Sequence, residues 1–272
     1  GKSFDKGGRL LGIIRTDRWM DEHFFEPEKI CEKITRESRN HGTGLYQFLQ
    51  EKGMYRPNVF TKNTFFKLKE DKIWEYVERL FAKYRKLWVG PDAPVYIFPS
   101  RYSIFDPHLK KNGFTLFPDK IFLFLPPLSD KKEVDALFVH EYHHATRMAK
   151  LAKPRDEYTL LDSLIMEGLA EMAVAEYVGK PYVASWNTQY PDDLLTESWH
   201  QYFKENLSIP ITKPVHDQLL YGNRIGKAMI GYALGYFIIR QYKRLNRSFS
   251  ITNTFRTPSE QIIKMVQEKM DG

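Results

Sequence analysis

Residues 138–145 read Phe138-Val139-His140-Glu141-Tyr142-His143-His144-Ala145, and this stretch bears most on what the chain can be. Apolar residues recur at helical spacing from Val134 to Lys150, which predicts a helix there. On a helix, His140 and His144 project side by side, one turn apart. Two imidazole nitrogens at that spacing can close around one Zn²⁺ at roughly 2.0–2.1 Å. Glu141 follows the first histidine, where a carboxylate can take a proton from an activated water and return it to a leaving amine. His143 lies three residues from His140, so a His140/His143 pair is also geometrically open. The His140/His144 pair is preferred because it alone sets a glutamate where a general base is needed. His143 is then expected to bond nearby backbone or a substrate carbonyl.

A catalytic zinc takes three protein ligands and keeps one open position. The next apolar helix, predicted over Leu160 to Val178, contains Met166-Glu167-Gly168-Leu169-Ala170-Glu171. Glu167 stands among apolar residues, and carboxylates are rarely buried unless paired or bound to metal. Gly168 beside it removes a side chain and permits close backbone approach. Glu167 is therefore the candidate third ligand. Glu171, one turn on, is the candidate acceptor for the outward ring N–H of a histidine ligand, whereas Glu176 shares less of that face and is expected in solvent. An oxyanion needs a further donor. A helix expected from Arg224 to Leu245 places Ile225, Met229, Tyr232 and Tyr236 on one stripe, beside a small-residue edge of Ala228, Gly231 and Gly235. Tyr232 is the first candidate donor, with Tyr236 and His216 behind it and His200 further back.

These residues resemble a known group. HEYHH followed by MEGLAE resembles the gluzincin metallopeptidases, whose pattern is H-E-x-x-H with a glutamate on a downstream helix. The E-G-x-A context at Glu167–Ala170 is similar to their third-ligand motif, and Glu171 matches the thermolysin-like position of an acidic residue behind the ligands. More closely, the stretch from Phe138 to Tyr236, including the G-Y-A-L-G-Y run at Gly231 to Tyr236, resembles the bacterial YjaZ-type family of predicted zinc-dependent proteases, a domain of unknown function. Some of its members carry a heat-shock transcriptional-regulator label. The resemblance is specific over the two motif helices and weak before residue 90. It implies a zincin-like fold, a Zn²⁺ cofactor and a peptide or protein substrate.

The remainder of the chain fits an α+β protein, mostly helical with a small sheet preceding the H-E-x-x-H helix. The clearest helical stripe is Ile73, Trp74, Val77, Leu80, Phe81, Tyr84, Leu87 and Trp88, stopped by Gly90-Pro91. Earlier helices are expected from Pro27 and around Leu45–Leu49. Val95–Phe98 and Ile121–Leu125 read as strands. Ile121–Leu125, closed by Pro126-Pro127, suits an interior strand or a peptide-binding edge equally. A last helix is expected near Pro258, with Thr257 as N-cap, Pro258 first and Glu260 third. These patterns set off a helical N-terminal region, 1–90, from residues 91–272, which the resemblance implies to be a zincin-like metallopeptidase domain.

Composition excludes several alternatives. With 272 residues, 42% apolar and 28% charged, the chain can bury a full core. A lone Cys31 rules out a disulfide scaffold. The net charge of +7 is spread without a basic tract, which gives no indication of nucleic-acid binding. No run approaches the roughly 18 apolar residues of a membrane span. Leu10–Ile14, behind Lys2, Lys6 and Arg9, is too short for a signal-peptide core, so a cytoplasmic protein is expected. Oligomeric state is not legible. The leading expectation is a zinc peptidase; the alternative is a zinc-containing regulatory protein, related to transcription, with little or no turnover.

Overall fold

The structure, a computed structural model, describes residues 12–36, 42–102 and 111–272. Many helices and, among the described residues, one three-stranded sheet make an α+β fold. Two compact units divide at Ala145/Thr146, within the helix that carries the histidines.

The first unit opens with α1 (Thr16–His23), α2 (Pro27–Arg36), α3 (Gly42–Lys52), α4 (Val59–Glu70) and α5 (Ile73–Trp88). α2 and α3 enclose the segments expected to be helical. α1 and α4 were not anticipated. α4 starts where Asn58 and Thr61 form a reciprocal cap, Thr61 N donating to Asn58 Oδ1 at 2.9 Å and Asn58 N to Thr61 Oγ1 at 3.0 Å. α5 follows the predicted stripe, and every stripe residue except Leu87 is buried. It ends at Val89, which adopts left-handed backbone with φ 49°, and Gly90 N closes on Arg85 O. Cys31 lies fully buried on α2, and burial pushes its thiol up to about 12, leaving a neutral core residue.

Strands β1 (Val95–Pro99), β2 (Asn112–Leu116) and β3 (Lys120–Leu125) form the sheet in the order β1-β3-β2. β3 is interior, parallel to β1 with Val95 opposite Ile121, and antiparallel to β2 with Thr115 opposite Ile121 and Gly113 opposite Leu123. The choice left open for Ile121–Leu125 therefore falls to the interior position, which suits a run buried on both faces. The outer strand is β2, which sequence reading did not find. Its Asn-Gly start and half-exposed residues hide it. On the far side of β1, Ile13 bridges to Val95. Of the apolar run Leu10–Ile14, residues 12–14 thus support the sheet, and Leu10 and Leu11 lie outside the described residues.

α6 (Lys132–Leu151) carries the histidine motif. Its Phe138 and Tyr142 pack on α5: Trp88 stacks on Tyr142 with centroids 5.9 Å apart, Phe81 meets Phe138 at 6.3 Å, and Tyr142 Oη donates to Pro91 O at 2.9 Å.

The second unit holds α7 (Leu160–Tyr177), α8 (Asp192–Ser198), α9 (Pro214–Leu220), α10 (Ile230–Leu245), α11 (Ile251–Thr254) and α12 (Ser259–Asp271). α7 is capped by Thr159 and Asp162. Asp162, buried, also accepts from Lys153 Nζ and Ser259 Oγ, both at 2.7 Å. Arg147, on the second-unit end of α6, is buried too and donates to the carbonyls of Thr254 at 2.8 Å and Thr257 at 2.9 Å. Desolvation pulls its guanidinium down to about 10.

Two helix starts differ from expectation. α10 begins at Ile230, not Arg224, because Gly226 and Met229 take φ of 69° and 61°, and such left-handed positions cannot continue a helix. Ile225, Ala228 and Met229 therefore lie on a turn outside the stripe, with Ala228 exposed. α12 begins one residue late: Pro258, at φ −60° and ψ 148°, is the cap, while Thr257 Oγ1 donates back to Asn253 O.

Of the small-residue edge, Gly231 and Gly235 lie on α10 and meet neighbouring helices closely, whereas Ala228 does not. A Cβ on Gly235 would lie 2.2 Å from Leu164 O of α7, and one on Gly168 2.2 Å from Gly235 O; one on Gly231 would lie 2.6 Å from Leu220 Cα of α9. Backbone, not flexible side chain, occupies each space. Gly235→Ala should therefore cost at least the ~1–3 kcal/mol usual for overpacking, lowering Tm by several degrees. Differential scanning calorimetry checks this, and an unchanged Tm would contradict the contact.

Candidate metal centre

α6 is nucleated by Asp130, whose carboxylate accepts from Lys132 N at 3.0 Å, and acidic Glu133 and Asp135 occupy its first turn. Two turns on, the i to i+4 spacing acts as the sequence predicts. The His140 and His144 rings stand 4.6 Å apart between centroids, at 80°. His140 is half-buried, and Glu141 and His144 are buried. One ligand atom from each lies within 4.8 Å of those from the other two, and among the described residues they are the one such cluster of three. Two nitrogens on one tetrahedral zinc stand roughly 3.3 Å apart, given bond lengths near 2.0–2.1 Å. Small side-chain rotations therefore suffice, and the donor set, imidazole with carboxylate, fits zinc.

Glu141 is held from outside the helix. Thr115 Oγ1, on β2, donates to Glu141 Oε2 at 2.6 Å and lies 3.2 Å from Glu141 O. Glu141 Oε1 faces the other way, 4.0 Å from His140 Nε2. His143 takes a different side of α6: it is fully buried, with its ring edge-on to the Trp88 indole at 5.9 Å.

The other candidates belong to the second unit. Glu167 is half-buried on α7, on the face shared with Ser163 and Glu171 at i−4 and i+4. Glu171 is buried, and its Oε1 accepts from Ala184 N at 3.0 Å and Asn187 Nδ2 at 2.9 Å. Tyr232, half-buried on α10, contacts the rings of Tyr221 at 5.6 Å and Trp186 at 6.1 Å. Trp186 is the neighbour of Asn187, so one short turn touches both Glu171 and Tyr232. Tyr236 is buried, and burial pushes its phenol up. His216, buried on α9, sits between Ser163 Oγ and Asp217 Oδ1, 2.7 Å from each through Nε2 and Nδ1. His200 is exposed, and Glu176, exposed as expected, pairs with Lys243 at 2.8 Å.

Thr115, Gly113, Ser163, Asn187 and Asp217 are contacts that sequence reading missed. Apart from Asp217, beside His216, each reaches its partner across a separation with no periodic signal.

Comparison with known proteins gives concordant findings. Residues 73–264 match the family described as "Predicted Zn-dependent protease (DUF2268)". The chain is 32% identical over 219 residues to "Uncharacterized protein YjaZ" of Bacillus subtilis (strain 168), covering 80% of this chain and 84% of that one. It is 24% identical over 160 residues to "Uncharacterized protein YjfC" of the same organism, covering 56% of this chain and 53% of that one.

Elemental analysis tests the histidine pair directly. One zinc per chain is expected for the purified protein, with His140→Ala and His144→Ala losing it, since removing a ligand from so small a donor set weakens binding severely. His143→Ala should keep the zinc and lower Tm through the void left beside Trp88. Zinc loss in His143→Ala with retention in His144→Ala would move the site to the His140/His143 pair.

Proposed function

The chain belongs to the family of predicted Zn-dependent proteases (DUF2268), and from that premise we propose that it is a single-zinc peptidase of the gluzincin type. The observation that carries this is the convergence of His140, Glu141 and His144 on α6, the last two buried and His140 half-buried. Glu167 is the proposed third ligand, supported by its half-buried place among apolar residues of α7. In this scheme the peptidase domain is 91–272, and the helical region 1–90 contributes α5 as the platform on which α6 packs. No helix among the described residues is long and apolar enough to cross a membrane, and a peptide or protein substrate in the cytoplasm is the proposed setting.

A zinc ion held by these residues supplies Lewis acidity, polarising the scissile carbonyl and bringing a water's pKa to about 7. Glu141, through Oε1, takes one proton from the water as its oxygen bonds to the carbonyl carbon. It returns that proton to the amide nitrogen as the C–N bond breaks, leaving a free amine and a carboxylic acid. Tyr232 donates a hydrogen bond to the developing oxyanion. Its partial exposure favours it over buried Tyr236; His216, held between Ser163 and Asp217, is the next donor. Glu171 is the proposed acceptor for a ligand histidine's outward N–H.

Two variants and the wild type separate binding from chemistry. Glu167→Ala should lose zinc, measured by elemental analysis; full occupancy would remove Glu167 from the ligand set. Glu141→Gln should keep zinc and abolish casein hydrolysis, because the amide cannot accept the water's proton. Undiminished hydrolysis would exclude Glu141 as base. A zinc-replete wild type that cleaves nothing across a broad peptide library would turn the assignment to a regulatory protein.

Tyr232→Phe should lower kcat by about 100- to 1000-fold with zinc content and Tm unchanged, as loss of one oxyanion donor typically does. Equal, small effects of Tyr232→Phe and Tyr236→Phe would make both core residues and direct attention to His216.

A further inference from the structure

We propose that the outer strand β2 is a holder for the general base, with Thr115 as the positioning residue of Glu141. The inference rests on the peptidase assignment and adds a residue that no sequence motif contains. Gly113 and Thr115, two residues apart, face α6, while Phe114 between them meets Phe48 of α3 at 5.3 Å. A Cβ on Gly113 would lie 2.7 Å from Glu141 Cγ and 2.9 Å from Leu137 Cδ1. The Glu141 stem therefore fills the space a side chain would have taken. Beyond the stem, Thr115 Oγ1 binds Oε2 at 2.6 Å. The strand thus fixes the side chain at two points, the aliphatic stem and one carboxylate oxygen.

The two oxygens become inequivalent. Oε2 is committed to the hydroxyl, and Oε1 remains on the His140 side, where a water between base and metal would stand. A glutamate with free torsions has to be ordered at each turnover; here the ordering is built into the fold. β2 is itself set by its ladder to β3, with Gly113 opposite Leu123 and Thr115 opposite Ile121. A slip by one residue would turn both away from α6.

The test compares Thr115→Val, which keeps shape and strand propensity without the hydroxyl, with Thr115→Ser, which keeps the hydroxyl. Zinc content, kcat and KM on one peptide substrate, and the crystal structure of each variant are measured. Thr115→Val should retain one zinc and an unchanged KM, lose about 10- to 100-fold in kcat, the usual range for residues behind a metal site's reacting groups, and show the Glu141 carboxylate displaced or in several rotamers. Thr115→Ser should restore kcat and the single rotamer. Wild-type kcat in Thr115→Val, equal losses in both variants, or an unmoved Glu141 in Thr115→Val would each overturn the proposal. A wild type without turnover on any peptide would instead overturn the peptidase assignment, and the crystallographic comparison would still decide whether Thr115 holds Glu141.

Discussion

A carboxylate and two imidazoles can be carried on α6 because a separate face of that helix is firmly aromatic. Phe138 and Tyr142 lock into Phe81, Tyr84 and Trp88 of α5, which sets the rotation of α6 about its axis. That rotation decides where His140, Glu141 and His144 point. Polar groups taken from water need partners or a metal, and the site side of the helix meets this demand. On that side Thr115 satisfies one carboxylate oxygen, and the histidines stand together. Changes in the aromatic layer would therefore reach the site by turning the helix, without touching any polar atom.

α7 separates two tasks by the same helical geometry. Ser163, Glu167 and Glu171 follow one another at four-residue steps, while Leu164 and Gly168, each one residue on, turn about 100° away and meet Gly235 of α10. The packing face is backbone on backbone, which leaves little room for sliding or rotation. Glu167 and Glu171 are thus presented by a helix whose own setting is rigid, with Glu171 tied further to Ala184 and Asn187.

What could be read in advance was local and periodic. The α5 stripe, the motif helix α6 and α7 extend over many turns, so their apolar spacing is redundant. The pair His140/His144 is visible because helix geometry converts a four-residue spacing directly into proximity. β1 and β3 announce themselves as unbroken apolar runs. β2 does not, since Asn112, Gly113 and Thr115 look like loop residues until β3 and α6 lie on either side of them. Thr115 is correspondingly invisible as a partner of Glu141. The start of α10 was misplaced because Ile225 and Met229 fall on a helical period by chance, and the positive φ at Gly226 and Met229 becomes evident only in three dimensions. Ser163 beside His216 had no signal either, its partner lying 53 residues away.

Arg147 adds a constraint on the order of events during synthesis. Its guanidinium, three residues after His144, is buried and finds its acceptors on the carbonyls of Thr254 and Thr257. A buried guanidinium lacking such acceptors is strongly destabilising. The second-unit end of α6 therefore has no settled environment until residues more than a hundred positions downstream have left the ribosome. The helix bearing the histidines is thus held at one end by α5, translated before it, and at the other by carbonyls translated long after it.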